Sequence, residues 1–202
     1  FSSRRRHTRY ISVTGVQTCA LPILHYTVVF ICILFTITMN SQSSFYKLSF
    51  NTLDGQTVQM DQFKGKKILI VNTASRCGFT PQLEALETLH KNYASSLVII
   101  GFPSNEFASQ DPGSNSEILN FCKKNYGVSF WMSEKIKVKK GNQQHPVYQW
   151  LTQKSLNKAF GTSVWWNFQK YLITEDGQLH AVVRSWKKPN CKRITKWLQS
   201  AS

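Results

Sequence analysis

The chain has 202 residues, enough for one domain with a substantial hydrophobic core. Its formal net charge is +15, but residues 1–44 hold four arginines and no acid, which leaves 21 basic and 10 acidic residues in 45–202. Apart from one cluster at 135–140 these basic residues are scattered, and no nucleic-acid-binding motif accompanies them. A solvated basic surface is therefore favoured, and no nucleic-acid partner is predicted.

The cysteines argue against a disulfide framework. Two of the five precede residue 45, which leaves Cys77, Cys122 and Cys191. An odd number leaves at least one thiol free. No pair has the spacing of zinc ligands, and the three histidines of this region are far apart, so neither a metal nor a bound cofactor is predicted.

The N-terminal segment differs in character from the rest. Residues 1–23 resemble a recurring translation of sequencing-adapter DNA and are predicted to be a non-native leader. Tyr26–Thr38 is apolar apart from its threonines, too short to span a bilayer comfortably, and is followed by small and polar residues. Residues 24–44 are therefore predicted to be a signal peptide of an exported (periplasmic or secreted) protein. One alternative is an uncleaved membrane anchor, in which case this segment would be the protein's only contact with a membrane. The other is a cytoplasmic protein that starts at Met39.

The domain is predicted to span residues 45–202 and to begin with a β-hairpin followed by a β-α-β unit. The predicted strands are 45–50, 57–60, 67–71 and 97–102, and the predicted helix is 82–93. Thr80 is a suitable N-cap for this helix, and Pro81 suits its first position. The last two strands are apolar runs typical of a buried parallel pair.

The second half of the domain alternates helices with extended segments. A helix is predicted from Ser114 to Gly127, with a Ser114–Glu117 capping box. The remaining predicted elements are extended pieces at 128–132 and 136–138, a helix at 145–153, strands at 165–173 and 179–184, and a helix around 194–198. This order predicts an α/β protein with a thioredoxin-like fold, in which helices flank a central mixed sheet.

Cys77 lies in the loop between the strand 67–71 and the helix 82–93. A helix N-terminus carries partial positive charge, which favours a thiolate. A dithiol oxidoreductase needs a second cysteine three residues later, where this chain has Thr80. A peroxiredoxin has a threonine three residues before its cysteine, where this chain has Ala74. The remaining interpretation is a single reactive thiol suited to attack on a peroxide.

Three motifs resemble those of the glutathione peroxidase family. They lie in the family's order, and the resemblance covers about residues 45–198. The motifs are Asn72-Thr73-Ala74-Ser75-Arg76-Cys77-Gly78-Phe79-Thr80, then Gly101-Phe102-Pro103-Ser104-Asn105-Glu106-Phe107 with Gln110 and Pro112-Gly113-Ser114-Asn115, and Trp166-Asn167-Phe168-Gln169-Lys170-Tyr171-Leu172.

The resemblance implies a catalytic set of four residues. Cys77 would attack a peroxide oxygen and become a sulfenic acid. Gln110, Trp166 and Asn167 would supply hydrogen-bond donors to the thiolate or to the leaving oxygen. Considered alone, Gln110 is equally explained as an ordinary loop residue, and Trp166 as core packing beside Trp165.

The resemblance also implies a thiol reductant as co-substrate. Family members with cysteine and without an oligomerisation insertion often resemble thioredoxin-dependent peroxidases, and the segment 152–165 is short here. A monomer reduced by a thioredoxin-like protein is therefore expected, with glutathione as the alternative because the surface is basic.

The resemblance implies Cys122 as the candidate resolving thiol. Cys122 lies one residue away from the position of the resolving cysteine in well-understood members of the family. Its alternative is a core cysteine, because Ile118 and Cys122 share the apolar face of a helix. As a resolving residue it requires that helix to unwind. Cys191 is expected to have no redox role.

Three positions depart from the family pattern: Ser104 replaces a frequent cysteine, Glu106 a glutamine and Trp131 a proline. Glu106 is expected to place negative charge near the thiolate.

The function predicted is a thiol peroxidase that reduces hydrogen peroxide and organic hydroperoxides in oxidative-stress defence. The alternatives are a thiol redox sensor or relay without turnover, and a thioredoxin-like interaction module.

Overall fold

The computed structural model describes residues 44–200, so the predictions for residues 1–43 lie outside the described part. Its strands, β1 to β7, are Ser49–Asn51, Thr57–Gln59, Lys67–Thr73, Leu97–Pro103, Trp131–Met132, Lys170–Ile173 and Leu179–Val183. Its helices, α1 to α5, are Gln82–Asn92, Asn115–Tyr126, Pro146–Thr152, Lys154–Asn157 and Lys192–Gln199, and short 3-10 helices span Ser44–Lys47 and Met60–Phe63. Within residues 44–200, every helix is too short or too polar to cross a membrane.

A five-stranded mixed sheet, in the order β5-β4-β3-β6-β7, forms the centre of the fold. β3 pairs in parallel with β4 along seven residues of each strand, and β4 pairs in parallel with β5. β6 runs antiparallel to β3, and β7 antiparallel to β6. β1 and β2 form a separate antiparallel hairpin, as predicted.

Two hydrophobic clusters cover the two faces of the sheet. Successive side chains of β3 alternate between them, as a strand with a period of two requires. Ile68 and Ile70 join the cluster that contains α3, whereas Leu69 and Val71 join the cluster that contains α1, α2 and α5. Both faces of β3 are therefore buried, which explains the continuous apolar run in its sequence.

The predicted helix after the second motif is confirmed in detail. The Ser114 hydroxyl accepts a hydrogen bond from the Glu117 backbone N–H, and the Glu117 carboxylate accepts one from the Ser114 backbone N–H. At the other end, Gly127 adopts a left-handed conformation (φ 61°), and its N–H bonds to the Lys123 carbonyl. Both ends of α2 are thus capped.

Two predicted strands are shorter than expected. Residues 44–47 form a 3-10 helix, so only Ser49 and Phe50 of the first predicted strand belong to β1. Residues 165–169 form a loop, and β6 begins only at Lys170. Phe168 has a φ of 64°, a left-handed conformation that is incompatible with a strand.

The prediction that Thr80 caps α1 is wrong. α1 begins at Gln82 with Pro81 in the N-cap position, and no side chain caps it. The Thr80 hydroxyl instead accepts a hydrogen bond from the Cys77 N–H (3.0 Å) and donates one to the Ala74 carbonyl (2.8 Å). Thr80 therefore stabilises the loop around Cys77 rather than the helix.

Glu87 connects α1 to the segment before β5. Its buried carboxylate accepts hydrogen bonds from the N–H (2.8 Å) and the hydroxyl (2.6 Å) of Ser129, and the Lys91 ammonium lies 3.3 Å away. Burial opposes ionisation, but the Ser129 hydrogen bonds and Lys91 outweigh it and hold the pKa of Glu87 below its usual value.

A carboxyl group whose pKa is lower in the folded state than in the unfolded state stabilises the folded state at pH values above its unfolded-state pKa. This stabilisation is lost as the pH falls through its folded-state pKa. We therefore expect Glu87→Gln to lower the free energy of unfolding by about 1–3 kcal/mol at neutral pH. The difference from wild type should shrink between about pH 5 and about pH 3 in urea denaturation, because the wild-type carboxylate is then protonated. Glu84→Gln, on the exposed face of α1, is the control and should change little. A Glu87→Gln difference that does not vary with pH would contradict the ionic contribution.

Candidate active site

The Cys77 loop connects β3 to α1 and bends back on itself. The Cys77 side chain is 7% exposed, and its sulfur accepts a hydrogen bond from the Phe79 N–H at 3.4 Å. The Cys77 carbonyl accepts from the Thr80 N–H at 2.9 Å, and the Phe79 carbonyl accepts from the Gln82 N–H at the same distance. The sulfur therefore lies in a turn that leads directly into the first residue of α1, with the Phe79 N–H as its hydrogen-bond donor.

The Gln110 loop follows the end of β4 and is bound to the Cys77 loop. The Gln110 carbonyl accepts a hydrogen bond from the Arg76 N–H (2.8 Å), and one Asp111 carboxylate oxygen accepts from the Ser75 N–H (3.0 Å). Ala108 and Ser109 have φ values of 51° and 52°. Two successive non-glycine residues in the left-handed region are unusual, and such conformations concentrate at functional sites.

The third loop, which carries Trp166 and Asn167, is held by Asn72 in β3. The Asn72 side-chain amide donates to the Trp166 carbonyl (3.1 Å), and its side-chain oxygen accepts from the Gln169 N–H (3.1 Å). The Asn72 carbonyl accepts from the Phe168 N–H (2.6 Å). One residue thus fixes both ends of the loop that was expected to be a strand.

Two of the predicted site residues contact each other directly. The Asn167 amide donates to the Gln110 side-chain oxygen at 2.9 Å, and Asn167 is fully buried. Because the Gln110 oxygen is used in this bond, its NH2 group points elsewhere, and no residue in 44–200 accepts from it. This donor is therefore available to a ligand.

Trp166 is partly exposed. Its side chain is 38% exposed, and its ring lies 5.7 Å from that of Phe107 in the Gln110 loop. Its indole N–H bonds to no acceptor in the described part of the chain. The structure thus links the Cys77 loop, Gln110 and Asn167 by hydrogen bonds, and it fixes Trp166 through its backbone and through Phe107.

Cys122 is a buried core thiol in this conformation. It is 4% exposed on α2 and packs in the same hydrophobic cluster as Cys77 and Ile118. Burial, with a smaller contribution from the Asp111 charge, raises the pKa of Cys122 to about 12. All three cysteines between residues 44 and 200 are free thiols.

Two of the departures from the family pattern have structural explanations. One Glu106 carboxylate oxygen accepts hydrogen bonds from the Val138 N–H (2.5 Å) and the Lys139 N–H (2.8 Å), so the carboxylate stabilises that backbone turn. Trp131 lies in β5, where its ring packs edge-on against Phe63 at 5.7 Å.

No role was predicted for Asn72, Asp111 or Lys170, which the structure places around the site. The available signal was the same for Asn72 and Lys170, since each is a polar residue next to an apolar run of its strand. The Asp111 carboxyl is almost fully buried, and burial raises its pKa despite the hydrogen bonds from Ser75 and the charge of Lys135. Lys170 is also fully buried, and burial lowers its pKa to about 7.

Solved structures define the class of the fold. The crystal structure of Trgpx in apo form matches with a TM-score of 0.60 and 32% sequence identity, over 79% of this chain and 98% of that one. A thioredoxin family thiol:disulfide interchange protein from Chlorobium tepidum matches with a TM-score of 0.52 and 18% identity, over 75% of this chain and 92% of that one, which supports the fold alone. The predicted thioredoxin-like fold is thus confirmed.

The sequence comparisons identify the family. The family model "Glutathione peroxidase" matches residues 45–152. A glutathione peroxidase of Lactococcus lactis is 50% identical over 137 residues, 67% of this chain and 86% of its own length. The glutathione peroxidase-like peroxiredoxin HYR1 of Saccharomyces cerevisiae is 45% identical over 149 residues (73% and 91%), and a hydroperoxy fatty acid reductase of Synechocystis is 39% identical over 160 residues (76% and 94%). The chain belongs to the glutathione peroxidase family.

Replacing Asn72 should release the Trp166–Gln169 loop. Asn72→Leu keeps a similar volume but leaves the Gln169 N–H without its partner and the Trp166 carbonyl with only the Ser185 hydroxyl at 3.4 Å. We expect a loss of about 1–3 kcal/mol in the free energy of unfolding and faster hydrogen exchange at the Gln169 amide. Asn125→Leu, on the exposed side of α2, is the control. Unchanged exchange at Gln169 in Asn72→Leu would show that other contacts hold the loop.

Proposed function

We propose that Cys77 is the peroxidatic residue of this enzyme and that Gln110, Trp166 and Asn167 assist it. Family membership makes the chain a thiol peroxidase, an oxidoreductase that reduces peroxides. The observation that carries the assignment of residues is the bonding of Gln110, through its carbonyl to Arg76 beside Cys77 and through its side chain to Asn167. These two bonds join three loops that are distant in sequence, one of which carries Cys77, and this supports the proposal.

The proposed first step is attack of the Cys77 thiolate on a peroxide oxygen. A sulfur–oxygen bond forms as the oxygen–oxygen bond breaks, and the leaving oxygen takes a proton to become water or an alcohol. Cys77 is oxidised to a sulfenic acid. The Phe79 N–H stabilises the thiolate before the attack, and the free donors of Gln110 and Trp166 stabilise charge that develops on oxygen. Asn167 orients the Gln110 amide.

We propose that a thioredoxin-like dithiol protein regenerates the enzyme through Cys122. The Cys122 thiol displaces the sulfenic oxygen as water and forms a disulfide with Cys77, which the dithiol then reduces by exchange. Since Cys122 is buried and its pKa is raised, α2 has to open before this step. Glutathione is the alternative reductant, in which case two molecules restore the thiol and leave as their disulfide.

A second candidate function, a thiol redox sensor or relay, is favoured by the same burial of Cys122. A sulfenic acid on Cys77 that Cys122 does not reach persists until a partner thiol attacks it. Under this alternative the oxidised chain passes a disulfide to that partner and shows no sustained turnover.

We also propose that the enzyme is an exported monomer. The basis is the apolar segment Tyr26–Thr38 and the short connection at 152–165, which in the structure holds only the four-residue helix α4. The mass of the mature N-terminus and the sedimentation coefficient measure these two properties. The alternatives to export are attachment to a membrane through the uncleaved apolar segment and a cytoplasmic protein that starts at Met39.

Cys77→Ser should abolish peroxide reduction, because a hydroxyl does not replace the thiolate as nucleophile. The measurement is NADPH consumption with hydrogen peroxide, coupled separately to thioredoxin with its reductase and to glutathione with its reductase. Cys191→Ser is the control and should retain wild-type turnover. Equal turnover in Cys77→Ser and wild type would exclude Cys77, and a folded wild-type enzyme inactive with both reductants would favour the sensor.

Cys122→Ser should abolish only the turnover supported by thioredoxin, since glutathione attacks the sulfenic acid directly. A sulfenic acid at Cys77, trapped with dimedone and located by mass spectrometry, should accumulate in this variant after one equivalent of peroxide. Unchanged thioredoxin-supported rates would assign Cys122 to core packing.

A further inference from the structure

Lys170 is a buried cation whose hydrogen-bond partners are all neutral oxygens. It is the first residue of β6, directly after the Trp166–Gln169 loop, and none of its surface is exposed. Its ammonium group donates to the Gln82 side-chain oxygen, to the Lys187 carbonyl (2.6 Å) and to the Ser185 carbonyl (3.2 Å). These three acceptors use the three N–H bonds of the ammonium group.

The three acceptors belong to two segments that meet near Cys77. Gln82 is the first residue of α1, and its side-chain amide also donates to the Ser185 carbonyl at 2.8 Å. Ser185 and Lys187 lie in the connection between β7 and α5. Lys170 and Gln82 together therefore attach the beginning of α1 to this connection.

Stability alone does not account for a charge in this position. A buried ammonium without a carboxylate partner loses its hydration, and apolar residues of similar volume are often at least as stabilising as buried ionic groups. Neither of the salt bridges found within residues 44–200 includes Lys170. The lowered pKa of Lys170 is consistent with this cost.

We propose that Lys170 is a positioning residue of the peroxide-reducing site: it fixes Gln82, and through Gln82 the N–H group that holds the Cys77 sulfur. The connection consists of hydrogen bonds already described. The Gln82 N–H donates to the Phe79 carbonyl, and the Phe79 N–H donates to the Cys77 sulfur. The inference rests on the proposed role of Cys77 in peroxide reduction.

Lys67 provides a control within the same sheet, although it has a carboxylate partner that Lys170 lacks within residues 44–200. It is also a buried lysine, and its ammonium group donates to the carbonyls of Trp197 (2.8 Å) and Ser200 (2.6 Å) at the end of α5 and lies 3.6 Å from a Glu175 carboxylate oxygen. Lys67 is the first residue of β3, whereas the Cys77 loop follows the last residue of β3. Lys170, in the neighbouring strand β6, lies beside the end of β3 that is far from Lys67.

The test compares Lys170→Met, Gln82→Met, Gln82→Glu and Lys67→Met with wild type. Two rates are measured as functions of pH: alkylation of Cys77 by iodoacetamide, followed by mass spectrometry, and oxidation of Cys77 by a single addition of hydrogen peroxide. Lys170→Met should change the pH profile of Cys77 alkylation and slow oxidation about tenfold at neutral pH, because the sulfur loses its positioned donor. Its thermal midpoint should fall, because the Gln82 oxygen and the Lys187 carbonyl lose a buried donor, so the pH profile is the readout that separates positioning from stability.

Gln82→Met should reproduce the effect of Lys170→Met, and the double variant should be no slower than either single one, because both act through one connection. Gln82→Glu keeps an oxygen acceptor for Lys170 and should retain a rate within about threefold of wild type. Lys67→Met should lower stability without changing the pH profile. If Lys170→Met does not fold, Gln82→Met tests the same connection.

A folded Lys170→Met with the wild-type pH profile and oxidation rate would overturn the proposal, and so would an equal change in Lys67→Met. The alkylation rate separates this result from a failure of the proposed function. If Cys77 does not reduce peroxide, Cys77→Ser keeps its turnover, while the effect of Lys170→Met on Cys77 alkylation is still measurable.

Discussion

The site depends on one polar side chain, Asn72, which follows the apolar run 68–71 of β3. Both side-chain groups and the carbonyl of this residue bind the loop that carries Trp166 and Asn167. Asn72 itself is held by the parallel pairing of β3 with β4, in which its partner is Phe102. The longest strand pairing in the sheet thus fixes a loop that contains a residue in the left-handed conformation, Phe168.

The three loops are joined by hydrogen bonds between backbone groups, between backbone and side chain, and between side chains. Such bonds gain strength where water is excluded, and they are costly to break where the freed groups remain buried. Gln110 illustrates the effect: its carbonyl is bound to the Cys77 loop and its side-chain oxygen to Asn167, and within residues 44–200 only its side-chain NH2 group has no partner. A donor held in this way needs little reorganisation when charge develops beside it.

The sequence predicted those features that local patterns determine. The apolar runs of β3 and β4, the helical spacing of Leu83, Leu86 and Leu89, and the capping box of α2 each carry their own signal. The motifs named the residues Cys77, Gln110 and Asn167, of which the last two prove to be in contact. The predicted strand at 165–173 is confirmed from Lys170 onward and wrong for 165–169, because the aromatic composition of those residues favours a strand, whereas hydrogen bonds from the distant Asn72 decide their conformation. Thr80 was misassigned for a related reason, since its hydroxyl has a closer partner in the Cys77 loop than in the helix. The contacts of Lys170 were beyond prediction because its three acceptors come from two segments that are distant in sequence.

The double capping of α2 has a kinetic consequence for the proposed cycle. A helix held by a reciprocal box at one end and a left-handed glycine at the other opens rarely, and Cys122 faces the core in its last two turns. In the proposed cycle, the lifetime of the sulfenic acid on Cys77 is therefore set by how often this helix opens. During that interval a second peroxide molecule competes with Cys122 and carries the sulfur to the sulfinic state. In that proposed cycle, helix capping, a property usually associated with folding stability, limits how much peroxide the enzyme tolerates before Cys77 is inactivated.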